Sequence, residues 1–269
     1  HRDLHSFPTR RSSDLLSSDA TVEAALNPDF SQIEADARQI DVNTTIALFY
    51  PERRPFFQEG SDIFRTLFNS FYTRTINDPE YAVKLTARKS DFRVGVISAL
   101  DENTPYVIPL TEGTIIANTG KSIVNVARAS RNLGPNSQVG AIITDRRFDG
   151  GGYGTILALD GDLRLSQNYR IDGQFLYSLT GEPGEAGPTD WLGGATFNDG
   201  KHTLKFDGEE YQGAAFISRF RRNGRHWYFT IDYNQVAPDY RTQTGYDPWV
   251  DRSEENKSEL QSRQSISYA

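Results

Sequence analysis

Alternation of apolar and polar residues dominates the chain from Tyr81 to Gln235 and predicts β-strands with two different faces. The clearest strands run over Gly152–Leu165, Asn168–Thr180 and His226–Gln235. Each has one apolar face that carries no charge and one polar face. With roughly ten such strands at this period, the pattern predicts an all-β, antiparallel up-and-down meander.

The predicted connections alternate between short turns and longer links. The short turns fall at Lys89–Asp91, Asn132–Asn136, Ser166–Gln167, Asn198–Gly200 and Asn223–Arg225. The longer, polar or glycine- and proline-rich links are Asp101–Lys121, Asp145–Gly151, Gly181–Asp190, Asp207–Gln212 and everything after Val236. Successive connections of a meander lie at opposite ends, so one end is tight and the other loop-rich. This asymmetry is typical of outer-membrane β-barrels.

The remaining strands are predicted as pairs around these turns. They are Ala82–Arg88 with Phe92–Leu100, Ser122–Arg131 with Gln138–Thr144, Trp191–Phe197 with Lys201–Phe206, and Gly213–Arg222 with the His226 strand.

The apolar faces fit a membrane-spanning sheet. Tyr169 and Tyr177 share a face eight residues apart, which corresponds to about 20 Å along a barrel axis at the usual rise and tilt. Trp227 and Tyr233 bracket Phe229 and Ile231 in the same way, as aromatic girdles around an apolar band do. A soluble β-sandwich shows the same alternation, with its apolar face turned inward, and stays open as an alternative.

Composition narrows the classes further. The 269 residues carry a net charge of −7, which disfavours nucleic-acid binding. The sequence has no cysteine, so it has no disulfide, thiolate metal ligand or cysteine nucleophile. No apolar run approaches the roughly 18 residues of a transmembrane helix. The sequence also lacks methionine, and we expect it to be a piece of a longer protein.

Four regions follow from these patterns. Residues 1–15 resemble a translated sequencing adapter, and we predict a non-native artefact there. Residues 16–80 hold the motifs and the first strand, Thr21–Leu26, residues 81–250 hold the meander, and residues 251–269 are predicted to be a disordered or artefactual tail. If strands are missing, the barrel would be an open, curled sheet with two unpaired edges.

Two stretches in the motif region are distinctive: LNPDFSQIEAD, which starts at Leu26, and DVNTTIALFYPERRPFFQEG, which ends at Gly60. They resemble bacterial outer-membrane proteins with a DUF5916-type β-barrel domain, and the resemblance extends over about residues 20–250. A third stretch departs from the family pattern at Thr73–Ile76. The motif residues, to which we assign a structural role, are Asn27, Pro28, Asp29, Phe30, Gln32, Glu34, Asp36, Pro51, Glu52, Arg53, Arg54, Pro55, Phe56, Phe57, Glu59 and Gly60.

The resemblance implies a location in the bacterial outer membrane, with its lipid as a partner. Family members usually carry a carbohydrate-binding family 9-like domain ahead of the barrel, which is absent here. Glycan handling or transport is the role this suggests, through that missing domain. We expect Phe56 and Phe57 to be buried and Arg53 and Arg54 to have carboxylate partners.

Candidate chemistry is sparse, and we predict no catalytic, cofactor-binding or metal-binding residue. Glu34, Asp36, Glu52 and Glu59 could form an acid pair for glycoside hydrolysis, but salt bridges to nearby arginines explain them as well. His202 and His226 lack metal-ligand spacing. On adjacent strands, we interpret a set of charges as a ladder that keeps a lumen wet: Asp160, Asp162, Arg164, Arg170 and Asp172.

The leading hypothesis is therefore a fragment of an outer-membrane β-barrel of uncharacterised function, a structural or transport module rather than an enzyme. Two alternatives remain. One is a soluble β-rich carbohydrate-binding protein, and the other is a glycoside hydrolase that uses acids near Glu34–Glu59.

Overall fold

A computed structural model describes residues 10–17, 19–28, 51–111, 113–247 and 249–261. Its main sheet is built from β1 (Arg10–Ser17), β2 (Ala20–Leu26), β3 (Pro79–Lys89), β4 (Phe92–Asp101), β7 (Ser122–Asn132), β8 (Gln138–Phe148), β9 (Tyr153–Arg164), β10 (Tyr169–Gly181), β13 (Glu210–Asn223), β14 (Trp227–Val236) and β15 (Arg252–Gln261). Two short hairpins lie outside it: β5 (Pro105–Pro109) with β6 (Thr114–Asn118), and β11 (Thr196–Phe197) with β12 (His202–Thr203).

The eleven strands of the main sheet are antiparallel and follow chain order, so the predicted all-β meander is confirmed. Within the described residues, β1 and β15 each pair on one side only, which leaves the sheet open, as expected for a sheet with strands missing. None of the helices in the described ranges has the length and apolarity needed to cross a membrane.

Short and long connections alternate along the whole sheet. Tight turns join β3 to β4, β7 to β8, β9 to β10 and β13 to β14, and we call their side the short-turn end. The links after β2, β4, β8, β10 and β14 all emerge at the opposite side, the long-link end. Only Ser90 and Asp91 join β3 to β4, and Ser90 adopts a left-handed φ of 53° in this tight turn.

Two predicted segments differ from the structure. Trp191–Phe197 and Lys201–Phe206 were expected to be strands of the sheet, but they contribute only the two-residue hairpin β11–β12, preceded by a 3-10 helix at Gly187–Leu192. One proline and four glycines within residues 187–206 favour turns over a ladder. The sheet therefore draws eight strands, not ten, from residues 81–250.

Both chain ends take part in the sheet. Arg10–Ser17, most of which we assigned to a non-native segment, pairs with β2. Arg252–Gln261, assigned to a disordered or artefactual tail, pairs with β14 along ten residues. Strands pair through backbone hydrogen bonds. These polar segments can therefore join the sheet although their side chains show no alternation of apolar and polar residues.

The two faces of the main sheet differ in what covers them. Residues 51–78, which we call the plug, and residues 237–250 pack against one face, which we call the inward face. The main core lies between the plug and this face, where Phe56, Phe57 and Phe64 meet small or branched residues such as Ala82 and Val126. The opposite, outward face carries no layer of described residues, and its large apolar side chains are exposed.

A second, smaller core sits at the long-link end. Tyr106 of the β5–β6 hairpin packs on Phe148 at the end of β8 and on Phe206 of the link after β10, with ring centroids 5.1 and 4.8 Å apart. The long links thus form a packed layer over that end of the sheet.

Candidate functional site

The plug begins with a stiff turn that positions two aromatic rings. Pro55 opens a one-turn helix, Pro55–Gln58, because a proline at the first helical position loses no hydrogen bond. Gly60 ends this turn with a left-handed φ of 67° and leads into the 3-10 helix Ser61–Phe64. Phe56 and Phe57, in edge-to-face contact at 5.0 Å, are buried as expected.

Arg54 holds the plug together from inside. Its Nε and Nη2 donate to the two carboxylate oxygens of Glu52 at 2.9 and 2.8 Å. The remaining donors reach the carbonyls of Ile76 at 2.7 Å and Thr73 at 2.9 Å, and the guanidinium stacks on Phe57. A guanidinium is suited to this task because it offers five donors in a rigid plane. Arg54 therefore ties the start of the plug to its end, including the Thr73–Ile76 stretch that departs from the family pattern.

Lys84 fastens the plug to the sheet. It lies on the inward face of β3, is 1 % exposed, and pairs with Glu23 of β2 at 2.8 Å. Its Nζ also donates to the carbonyls of Phe56 and Glu59, so it caps the one-turn helix. A buried ammonium needs such a set of acceptors, because burying an unpaired charge away from water costs roughly several kcal/mol.

Further contacts spread across the inward face. Gln174 accepts from the Phe68 backbone N–H at 2.7 Å and donates to Ser70 Oγ at 2.8 Å. Arg146 Nη2 donates to the Thr75 carbonyl at 2.8 Å. Thr244, in the link after β14, donates through its Oγ1 to Thr144 Oγ1 at 2.6 Å. Together with Lys84, polar side chains of three different strands, β3, β8 and β10, thus bind the plug and its neighbouring link.

Towards the short-turn end of β7 to β14, the inward face carries paired charges, whereas on β3 and β4 the plug itself reaches that end. Arg128 forms a two-point pair with Asp160 at 2.6 and 2.8 Å, Arg170 pairs with Asp162, Arg221 with Asp172, and Arg219 with Asp232 at 2.5 Å. The side chains of Arg170 and Asp162 are 47 % and 37 % exposed, whereas that of Arg128 is 1 % exposed. Of the predicted charged set, Asp160, Asp162, Arg170 and Asp172 form ion pairs on the inward face, whereas Arg164 donates to the carbonyls of Ser166 and Gln167 in the turn.

The other motif residues occupy varied places. Asn27 ends β2, where its backbone N–H donates to the Glu80 carbonyl at 2.7 Å. Arg53 and Glu59 are exposed. Asp29, Phe30, Gln32, Glu34 and Asp36 lie outside the described residues.

Glu52 is not arranged as a proton donor. Burial would raise its pKa, but hydrogen bonds and the charge of Arg54 outweigh burial and lower the pKa below the ordinary value of 4.5. A general acid needs the opposite shift. Among the described residues, Glu52 therefore serves the Arg54 pair, and the hydrolase hypothesis gains no support from it.

Comparison with known families adds one finding. Residues 16–103 match the family model described as Domain of unknown function (DUF5916). The match confirms the DUF5916 part of the resemblance, and it contains every motif residue together with β2, the plug, β3 and β4. No curated protein matches the chain.

Sequence reasoning missed most of the residues that receive the plug. Arg146 and Gln174 lie far from the plug in the chain, and Glu23 and Lys84 are brought together only by the pairing of β2 with β3. One signal for these residues was available in the sequence. A lysine and a glutamate occupy inward positions of strands whose other inward residues are small or apolar, and such charges need a buried partner.

Proposed function

We propose that this chain is part of a bacterial outer-membrane β-barrel whose outward face lies in lipid and whose interior is closed by the plug. The observation that carries the proposal is the inverted distribution of side chains. Large apolar residues are exposed on the outward face, while lysine, arginine and glutamine are buried on the inward face.

The exposed surface is too apolar for water. Leu157, Leu159 and Phe175 are 46 %, 64 % and 47 % exposed, and they are neighbours in the register of β9 and β10. Val96, Ile143 and Phe216 continue the patch across β4, β8 and β13. A contiguous exposed apolar patch larger than roughly a few hundred Å² is typical of a surface that contacts a partner or a membrane. In lipid, the outward orientation of these apolar side chains carries no hydrophobic cost.

From β2 to β14, charges on the outward face keep to its borders, whereas the register of the terminal strand β15 places Glu255, Lys257 and Glu259 opposite outward positions of β14. Arg131 and Arg222 lie near the short-turn end, and Asp145 and Arg147 lie near the long-link end. Ser98 and Asn125, which share a hydrogen bond of 2.9 Å, continue the polar border on the long-link side. The band between the two borders is the part that would contact hydrocarbon.

These borders run diagonally across the strands. From Lys89 on β3 to Arg222 on β13, the border advances four residues over six strand steps. From Asp145 on β8 to Gln235 on β14, it advances four residues over four steps. With a rise of about 3.3 Å per residue and about 4.8 Å between strands, this drift corresponds to a tilt of about 25–35°. Transmembrane barrel strands tilt in the same range or slightly more, about 35–45°.

Aromatic residues and connections add to this picture. Tyr169 stacks on Phe220 near the short-turn end, with centroids 5.8 Å apart, while Tyr177 lies toward the long-link end of the same strand. Membrane barrels have aromatic girdles at both interfaces, short periplasmic turns and longer external loops. The short-turn end is therefore assigned to the periplasm and the long-link end to the cell exterior.

The inward face supports a plugged lumen rather than an open pore. The plug and residues 237–250 cover the inward face toward the long-link end, while the charged pairs line the other end. Glycan handling or transport, through a carbohydrate-binding domain outside this chain, is the role we propose for the whole protein.

Membrane insertion tests the proposal. The chain is refolded from urea into lipid vesicles, floated on a density gradient, washed with urea and digested with trypsin. We expect the chain to float, to resist the wash and to be cut in the link between β10 and β13, at Lys201 or Lys205, before the strands are cut. A chain that stays folded and monomeric in buffer without detergent, and leaves the vesicles in the wash, would contradict it.

A further inference from the structure

The link between β10 and β13 is closed at its base by three carboxylates. Glu182 directly follows β10, and Glu209 directly precedes β13. The Glu182 backbone N–H donates to the Glu209 carbonyl at 2.9 Å, which adds one more rung beyond the strand ends. One side-chain oxygen each from Glu182, Asp207 and Glu209 lies within 4.8 Å of the others.

The side chain of Glu182 is buried with one of its two carboxylate oxygens lacking a hydrogen-bond partner. The residue is 5 % exposed, and its Oε1 accepts from Tyr211 Oη at 3.0 Å. Its Oε2 is buried and has no hydrogen-bond partner. An ionised carboxylate oxygen without a donor is expensive to bury, so the site calls for a proton or a cation.

The surrounding charges increase this requirement. Asp207 and Glu209 place two further carboxylates beside Glu182. Arg241 lies nearby, but its Nη1 donates to the carbonyls of Pro238 and Tyr240, and its guanidinium stacks on the Phe197 ring. Arg241 therefore makes neither a hydrogen bond nor an ion pair with Glu182, although its own buried Nε and Nη2 have no hydrogen-bond partner.

The two outer carboxylates are held in position by neighbours. Thr203 donates from its backbone N–H to Glu209 Oε2 at 3.2 Å and from Oγ1 to Asp207 Oδ2 at 3.1 Å. The Glu209 backbone N–H donates to Asp207 Oδ1 at 3.2 Å, and His202 Nδ1 lies 3.3 Å from Glu209 Oε2. Such outer contacts orient metal ligands and leave lone pairs for an ion.

We propose that Glu182, Asp207 and Glu209 bind a calcium ion that clasps the base of the link between β10 and β13. Carboxylate oxygens about 2.4 Å from one ion lie at most about 4.8 Å apart, and the three oxygens here lie within 4.8 Å of one another. Calcium takes 6–8 oxygen ligands, and because Asp207 is exposed, water can complete the shell. Magnesium requires a stricter octahedron, and an all-oxygen set disfavours zinc.

The consequence is a link that becomes more rigid where it leaves the sheet. Glu182 and Glu209 enclose 26 intervening residues, which include the β11–β12 hairpin and part of the second core. An ion shared between both ends would hold this layer over the long-link end. This inference concerns the chain itself and does not depend on where the protein resides.

Terbium luminescence tests the site directly in the detergent-folded full chain. Terbium replaces calcium at oxygen sites, and Tyr211 beside Glu182 is placed to sensitise its emission. We expect saturable emission that calcium displaces at concentrations at least tenfold lower than magnesium does.

Variants decide whether these residues carry the emission. Glu182→Gln and Asp207→Asn are each expected to weaken terbium and calcium binding at least tenfold, in line with the roughly 10–100-fold effect of disturbing metal sites. Glu185→Gln, an exposed acid in the same link, serves as the matched control and should bind as the parent does. Asp207 is exposed, so its variant should fold even if Glu182→Gln does not. Unchanged affinity in Asp207→Asn, or equal losses in Glu185→Gln, would overturn the proposal.

Discussion

Glu52 and Arg54 form a two-point ion pair inside the plug, in which both carboxylate oxygens accept from the guanidinium at 2.8–2.9 Å. Arg54 is 1 % exposed and Glu52 is 14 % exposed at the side chain. The pair links the start of the plug to Thr73 and Ile76, so it governs whether the plug holds its shape.

The first prediction concerns acid. Because the folded pKa of Glu52 is lowered, its contribution to stability is present above the ordinary value of 4.5 and is lost as the pH falls through the folded pKa. Glu52→Gln should therefore destabilise the chain at pH 7 by about 3–5 kcal/mol, the usual cost of removing one partner of a buried pair. The difference from the parent should shrink below pH 4.

Urea unfolding in detergent at several pH values measures this difference. Glu185→Gln, which removes an exposed carboxyl, should follow the parent at each pH. A Glu52→Gln curve parallel to that of the parent from pH 7 to pH 3 would show that the ion pair does not act as described.

A second prediction compares two lysines with similar ion-pair distances. Lys84 lies 2.8 Å from Glu23, and Lys121 lies 2.6 Å from Glu102, but Lys84 is buried and Lys121 is 49 % exposed at the side chain. Lys84→Met should destabilise the chain by about 3–5 kcal/mol, because Glu23 is left buried and unpaired. Lys121→Met should change little, since exposed pairs contribute little. Equal midpoints of urea unfolding for both variants would contradict this account of the plug.

A third prediction concerns the close approach of the plug to β4. A Cβ at Gly95 would lie 2.5 Å from the Phe64 ring and 2.9 Å from Ile63, whereas one at Gly161 would meet nothing closer than 3.8 Å. Gly95→Ala should therefore displace the plug and cost about 1–3 kcal/mol, as overpacked cores do. Gly161→Ala should be tolerated. Trypsin cleavage at Arg65 reports plug displacement, and identical cleavage in both variants would count against it.

The fourth prediction tests the outward face with charge. Leu157→Arg and Phe175→Arg should each reduce the stability of the vesicle-inserted chain by about 2–4 kcal/mol, because arginine at mid-depth is costly in lipid. Gln167→Arg, in the turn between β9 and β10, should have little effect. Folding yield in vesicles as a function of urea provides the measurement, and equal tolerance at all three positions would argue for water outside.

The sequence predicted the meander well but the interior poorly. Alternation along β9, β10 and β14 identified strands and faces correctly, because a residue's face depends only on its neighbours in the same strand. Gln174 lies on the polar face of β10, yet its amide is buried between Phe68 and Ser70 of the plug. The sequence could not indicate this burial, since the partners of this inward residue come from more than 100 residues away along the chain.

The hairpin prediction shows a related limit. Asn198 and Gly200 do form the turn of β11–β12, as their sequence indicates. Local turn chemistry could not reveal that the flanking residues leave the sheet and pack into the second core instead. The sequence likewise could not predict that the carboxylates of Glu182 and Glu209 are neighbours, because only the pairing of β10 with β13 brings them together.

The most direct test of the central claim asks what solvent surrounds Phe175. The chain has no native cysteine, so Phe175→Cys and Gln167→Cys each accept a single environment-sensitive fluorophore. In vesicles, we predict blue-shifted emission at position 175 that is quenched by nitroxide-labelled lipid, and emission at position 167 that is quenched by aqueous iodide. Iodide quenching of equal strength at both positions, with no effect of the labelled lipid, would contradict the claim that the outward face lies in a membrane.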